Sequence, residues 1–449
     1  MRIPFSRRRV GGSQQDHEEY SAVPATPDKR SRRFLHNPTT AGGRINYCQL
    51  STYIIFFLLL ALLANIEEAK RFLKEQQQYD FVDETSPSPN KEAKEVKLRL
   101  DWSNVPPQSA WAKKLQDHQN DCNLPLGDFR FRNQYGLGSD LHLYGQGVCN
   151  AMQYGVRLRT AAPWIFMDEE QCQDYVDMPM KCYFSKAELN CPGDVDFIRQ
   201  HPNHTESQVL QAVSKPNGRF GYNCSAVLPD LERNEESRRA FRKSSIEWLF
   251  SHISPIVIEE AKRQAKLVFA NKTGAGTTIP SNLITVHIRW GDKHREMQLV
   301  NEKTYVMAVK SLLVKRLQKK KEGTNQKNPR EDDEEVNIYL ATEDPAAVQA
   351  FRKEAPDEWN IYLDHYYTEM LPHRIDEYNG SPKTSKLLKG RTGLVAMGSL
   401  LVAMEANDYV LTTASNWSRL MNELREMIVD PRCNGCTSMI DLRAVTNEW

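Results

Sequence analysis

The chain has 449 residues, with 59 basic and 58 acidic side chains and a formal charge of +1. At about 150 residues per domain, that length allows two or three domains. So even a balance gives no reason to expect nucleic acid as a partner. The balance is uneven along the chain, however. Residues 1–45 carry Arg2, Arg7, Arg8, Arg9, Lys29, Arg30, Arg32, Arg33 and Arg44 against Asp16, Glu18, Glu19 and Asp28. Leu50 to Ile66 then runs without a charge, close to the minimum length for a hydrocarbon core of ~30 Å. Basic residues before it and Glu67-Glu68 after it predict a cytosolic tail over 1–45 and a single membrane anchor over 46–66.

Residues 67–120 read as a stem. They are charged at first and are then broken by Thr85-Ser86-Pro87-Ser88-Pro89 and Pro106-Pro107. Residues 121–275 read as a first lobe. It opens on the turn Tyr135-Gly136-Leu137-Gly138-Ser139-Asp140-Leu141-His142. Helix is expected over Val148 to Tyr154, strand over Pro163 to Phe166, and helices over Ile246 to Phe250 and Val257 to Leu267. Gln171 to Pro229 is rich in cysteine, proline and asparagine and reads as loop. Eight cysteines follow the anchor, an even set that suits disulfides in an oxidising compartment. Cys433-Asn434-Gly435-Cys436 reads as a local disulfide. The sequons at Asn203, Asn223 and Asn271 fit a secretory-pathway protein. A further sequon at Asn416 lies in the suspected site and is expected to stay unmodified.

Residues 276–449 alternate strand and helix: strands 283–289, 336–341, 359–363 and 408–412, and helices 302–318, 345–353, 393–406 and 417–428. That alternation implies a parallel, doubly wound sheet. The mixed-charge run from Lys319 to Glu335 reads as a solvated insertion. The first of these strands ends in Val286-His287-Ile288-Arg289-Trp290-Gly291-Asp292-Lys293. Ligands of open α/β sheets bind at the carboxyl ends of strands, and a guanidinium there suits bidentate capture of a diphosphate. Lys293 adds a point charge, and Asp292 orients either cation. His287 reads equally as a nucleoside contact or as a core histidine. Glu343-Asp344 ends the next strand, where it serves the site or caps the helix that Pro345 opens. Ser415 and Asn416 follow the last strand at a helix N-terminus, where they contact phosphate or act as caps. Asp194-Val195-Asp196 offers a rival, metal-binding pair.

The segment His287 to Lys293 resembles the His-x-Arg-x-x-Asp-Lys signature of the α-1,6-fucosyltransferases, within the GDP-fucosyltransferase superfamily. Asn301-Glu302-Lys303-Thr304-Tyr305, Ile338 to Pro345, Asn407 to Asn416 and the Gly136/Gly138 turn are similar to further motifs of that family, in the same order. The resemblance covers roughly residues 120–430. It implies an α/β protein with a GT-B-like fold, two Rossmann-like lobes facing a cleft, on one anchor. It implies inverting transfer of fucose from GDP-fucose to a glycan acceptor, the N-glycan core GlcNAc in that family. No cofactor and no essential metal are expected. The membrane would be that of the Golgi, with the catalytic region lumenal, and a homodimer is compatible with the reading. Glu296 is the expected general base, with Asp292 as second choice. Gly136, Gly138, His142, His287, Arg289, Glu343, Asp344, Ser415 and Asn416 are the expected substrate-binding positions. Trp290 replaces the family's second arginine, and the family's nucleoside-binding aspartate falls near Gly398 or Ser399. Alternatives are a protein O-fucosyltransferase, a transferase of another GDP-sugar, or a glycan-binding relative without activity.

Overall fold

The computed structural model describes residues 96–161, 163–200, 213–214, 220–221, 234–270, 278–295, 298–323, 335–370, 373 and 380–443. The expected tail, the anchor, most of the stem, Glu296 and the sequons at Asn203, Asn223 and Asn271 lie outside the described residues. Among the described residues no helix is long and apolar enough to cross a membrane. All of them belong to one compact unit, Lys91–Trp449.

The described part of the expected stem is not an extended linker. Val96, Leu98, Trp102 and Val105 are buried, and Trp102 meets Phe250 edge-on. The segment also crosses the base of the second half. There the Arg99 backbone N–H donates to Glu405 and its guanidinium to Asn407 and the Pro280 carbonyl. Helix α1 (Ala110–Gln119) follows, with Ser109 Oγ accepting from the Ala112 amide as its cap.

The first half holds one βαβ unit. Strand β1 (Leu126–Phe129) and strand β2 (Arg157–Thr160) pair in parallel, with helix α2 (Leu137–Tyr154) between them. Strand β2 was not expected, because Arg157-Leu158-Arg159-Thr160 looks polar. It is buried nonetheless, because both guanidiniums find carboxylates. Arg159 pairs with Asp128, its register partner on β1, and Arg157 binds Asp194. The strand expected over Pro163–Phe166 is a turn. Its aromatic residues pack instead: Trp164 stacks on Phe131.

Short helices α3 (Pro179–Tyr183) and α4 (Asp194–Gln200) follow, then a small antiparallel pair, β3 (Val213–Ser214) with β4 (Phe220–Gly221). Helices α5 (Glu235–Phe250) and α6 (Pro255–Val268) close the half. Cys122–Cys191 and Cys172–Cys182 are disulfides. Cys149 is also disulfide-bonded, to a partner outside the described residues. Among the described residues the first half builds a two-stranded parallel sheet.

The second half matches its expectation closely. The elements are β5 (Ile284–Ile288), α7 (Glu302–Gly323), β6 (Asn337–Thr342), α8 (Pro345–Glu354), β7 (Asn360–Leu363), α9 (His365–Met370), α10 (Gly380–Leu387), α11 (Arg391–Ala403), β8 (Asp408–Leu411), α12 (Asn416–Leu424), α13 (Asp430–Cys433) and β9 (Ser438–Asp441). The sheet is parallel throughout, in the order β7-β6-β5-β8-β9. Alternating side chains serve its two faces. Ile284, Val286 and Ile288 meet Tyr305, Val309, Leu312 and Phe351 on one face. On the other, Leu283, Tyr339, Tyr409 and Leu411 join a core shared with the first half. The two halves are pressed together at the start of α11. Gly390 has φ +82°, and a Cβ there would strike the Met167 carbonyl at 1.7 Å, so only glycine fits.

Candidate functional site

The strand order fixes where a ligand fits. From β5 the chain steps outward to β6 and β7, then returns to β8 on the opposite side of β5 and continues to β9. The connections on either side of the β5–β8 pair therefore run in opposite senses, and a crevice opens at the carboxyl ends of those two strands. Arg289 and Trp290 leave β5 there, and Thr412 to Ser415 leave β8.

Two helix N-termini meet at this point. Helix α2 starts after Gly136 and helix α12 after Ser415, and neither is capped by a side chain. Asn416 Nδ2 donates to Ser139 Oγ at 2.5 Å. A Cβ on Gly138 would lie 3.2 Å from Trp417 Cε3 and 3.4 Å from the Trp417 nitrogen. The first turns of the two helices thus touch through a residue with no side chain. First-turn amides and the positive ends of two macrodipoles make such a junction electropositive without any formal charge. Arg289 brings a formal charge to the neighbouring strand end. Its Nη1 donates to the Trp290 carbonyl at 3.0 Å. Burial pushes the pKa of the Tyr305 hydroxyl up to about 12, against the opposing influence of the nearby Thr412 side chain and Arg289 backbone. The asparagine of the Asn416 sequon is half-buried and committed to Ser139, which suits an unmodified site.

His287 sits on the face of β5 that looks toward the first half. Its Nδ1 is 2.6 Å from Ser418 Oγ, and the Ser418 oxygen also accepts from the Thr412 amide at 3.2 Å. Burial, reinforced by the Arg289 charge, lowers its pKa to about 3, so the ring is neutral. Lys293 lies half-buried in the turn Gly291–Arg295. Asp292 shares that turn, although its side chain is not among those described. Glu296 lies outside the described residues.

Other expected contacts have structural partners. His142 is buried, with Nε2 2.8 Å from Glu423, which also accepts from Arg242 at 2.6 Å. Asp344 caps α8 by accepting from the Ala346 amide at 2.8 Å, and Glu343 stands exposed beside it. Asp194, half of the rival metal pair, is held by Arg157 and by the Cys191 amide, while Asp196 is exposed. Asp430, Cys433 and Cys436 cluster closely enough to hold a cation. The two cysteines form a disulfide, and Asp430 is taken by Arg425 and Thr437, so that cluster has no ligands to offer.

Trp290 is not a free aromatic platform. Its Nε1 donates to the Val300 carbonyl at 2.8 Å and its ring packs on the outer core of the sheet. Near Gly398 and Ser399 the structure holds a buried polar group that the sequence did not announce. Ser399 Oγ, the Tyr339 hydroxyl and the Tyr366 amide all converge on Asp364 Oδ1, at 2.5, 3.1 and 2.9 Å. Burial raises the Asp364 pKa despite these donors. Ser418 was also missed, and the signal available was its place one turn after Ser415, on the same helix face.

No protein-family model matches the chain, and no curated protein does. Among solved structures, a mutant of Arabidopsis thaliana FUT1 in complex with GDP is similar over 77% of this chain and 78% of that one. The identity is 10% and the TM-score 0.34. At those values the likeness carries no argument about what this chain binds.

Proposed function

We propose that the chain is a glycosyltransferase of the GT-B kind that takes fucose from GDP-fucose. The observation that carries this reading is the convergence of Arg289 and two helix N-termini, those of α2 and α12, on the β5–β8 crevice. Such a site suits a diphosphate leaving group. Its charge grows as the glycosidic bond breaks, and fixed amide dipoles and a guanidinium stabilise it without reorganising. Lys293 adds a second cation beside it. The acceptor hydroxyl loses its proton to Glu296 or Asp292, which attack from the opposite face would require for inversion. The commitment of Asp194 to Arg157 favours a reaction in which that acid pair holds no metal.

Fucose as the donor sugar rests on the motif resemblance, as do the N-glycan core GlcNAc as acceptor, the α-1,6 linkage and a lumenal Golgi location. A protein O-fucosyltransferase uses the same donor chemistry and stays as the alternative acceptor class. A screen of nucleotide sugars against the purified protein tests the reading. GDP-fucose should bind and turn over in the presence of EDTA. Binding of another nucleotide without affinity for GDP overturns the donor assignment. Binding without turnover on any glycan acceptor favours an inactive, glycan-binding relative.

A further inference from the structure

We propose that Ser418 is a positioning residue that locks His287 in the tautomer carrying its proton on Nε2, so that His287 offers the crevice a hydrogen-bond donor. The proposal rests on the glycosyltransferase reading only for what that donor meets.

The argument is a count of hydrogens. Ser418 is fully buried, and its hydroxyl has two partners among the described residues, His287 Nδ1 at 2.6 Å and the Thr412 amide at 3.2 Å. The Thr412 N–H can only donate, so the Ser418 oxygen accepts there. The serine hydrogen then has one acceptor left, the ring nitrogen Nδ1. Were Nδ1 protonated instead, two donors would face one oxygen and the buried serine hydrogen would point at nothing, a desolvation cost of about 1–3 kcal/mol. The arrangement closes in one way only: serine donates to Nδ1, and the ring's single proton sits on Nε2.

His287 keeps 5% of its surface exposed, and Nε2 is the ring nitrogen that Ser418 does not use, at the carboxyl end of β5, two residues before Arg289. A neutral ring with Nε2–H can donate but cannot take a proton there. This assigns His287 a binding contact to an acceptor atom of the nucleoside diphosphate and leaves Nε2 no proton-accepting role. The lock also links the two strand ends, because Thr412 belongs to the loop leaving β8 while His287 belongs to β5.

The test is nitrogen NMR on the full-length protein labelled at histidine, with the His287 signals assigned by their loss in His287→Gln. The unliganded protein should show an unprotonated Nδ1 and a protonated Nε2 between pH 5 and 8, and GDP should shift the Nε2 signal. Ser418→Ala should give a mixture of tautomers and raise the Kd for GDP about tenfold. Ser418→Thr, which keeps the hydroxyl, should restore the single tautomer. His287→Gln, which keeps a donor near Nε2, should bind GDP better than His287→Ala, and the pH profile of turnover should lose no limb in either variant. A protonated Nδ1 in the wild type, or an unchanged single tautomer in Ser418→Ala, overturns the lock. A Nε2 signal indifferent to bound GDP overturns the assigned contact. Failure of the wild type to bind GDP at all defeats the donor assignment instead, and the tautomer result is read independently of it.

Discussion

Asn416 and Ser139 lie 277 residues apart, yet the amide of one donates to the hydroxyl of the other at 2.5 Å. Each belongs to the first turn of its helix. The bond therefore fastens two helix N-termini side by side at the mouth of the crevice, and Gly138 is the spacer that lets them approach.

Filling that spacer should separate the helices. Gly138→Ala brings a methyl to 3.2 Å of a side-chain atom and is absorbed by a small shift of Trp417. Gly138→Val adds bulk that the Trp417 backbone at 3.4 Å cannot yield to, a cost of about 1–3 kcal/mol for overpacking. The valine variant should lower the melting temperature and weaken GDP binding, whereas the alanine variant should bind GDP within about threefold of wild type, equivalent to about 0.7 kcal/mol.

Arg289→Ala should reduce kcat/KM by about 10²-fold or more, the usual scale for one preorganised charge-stabilising donor. Arg289→Lys should recover little, since an ammonium lacks the guanidinium fork. The residue stands at a strand end and not in a core, so the melting temperature should hold. A folded alanine variant with wild-type turnover would falsify the diphosphate assignment.

Trp290→Arg tests whether the position tolerates the paired cation of the family it resembles. Here the indole packs on the sheet's outer core and bonds the Val300 carbonyl. Arginine should therefore destabilise the fold by about 2 kcal/mol or more, within the range for loss of a large packed ring. Urea titration reads this directly, and an unchanged midpoint would mean that the ring contributes no packing.

The acid pair at Asp194 and Asp196 separates a structural role from a metal role. Asp194→Asn leaves the buried Arg157 charge without its carboxylate, which should cost about 3–5 kcal/mol. Asp196→Asn changes an exposed side chain and should alter neither stability nor activity. If Asp196→Asn instead abolished an activity that Mn²⁺ restores to EDTA-treated wild type, the metal-dependent mechanism would be correct.

The Glu423 cluster sets an acid limit on stability. Burial pushes the Glu423 pKa up, but His142 and Arg242 hold the charge more strongly and bring it from 4.5 down to about 2. A depressed carboxylate stabilises the fold above its unfolded pKa, and that contribution fades as pH falls from 4.5 toward 2. The shift corresponds to about 3 kcal/mol. Unfolding free energy should therefore drop across that window, and Glu423→Gln should flatten the drop while lowering stability at neutral pH. An identical acid transition in the variant would show that other carboxylates set it.

Much of the second half was legible because its strands are short apolar runs separated by amphipathic helices. Strand β9 was not, since Ser438-Met439-Ile440-Asp441 is brief and follows directly on the Cys433–Cys436 turn. Strand β2 was hidden for a different reason. Its two arginines announce solvent, and only the fold supplies Asp128 and Asp194 to neutralise them. At the site, Arg289, Ser415 and the glycine turn stand out by residue type and position. His142 misled, because a histidine beside a glycine-rich turn carries no mark of the Glu423 that pairs with it 281 residues later. Ser418 was silent for the same reason: a serine's role is set by what it meets.

The far edge of the sheet has a bearing on how the protein is made. The loop leaving β8 is held from outside by β9 and the residues just after it. Thr413 donates to Asp441, and the Ala414 amide donates to the Arg443 carbonyl. That loop carries Thr412 and leads directly into Ser415. During synthesis β5 and α12 emerge before β9, so the crevice stays loosely built until the strand that buttresses it has left the ribosome. Non-local parallel pairing of this kind forms slowly and leaves β8 as an exposed edge in the meantime. Substitutions in Ser438–Asp441 should therefore reveal themselves first as poor yield and retention of the nascent protein by chaperones, well before any defect in the mature molecule.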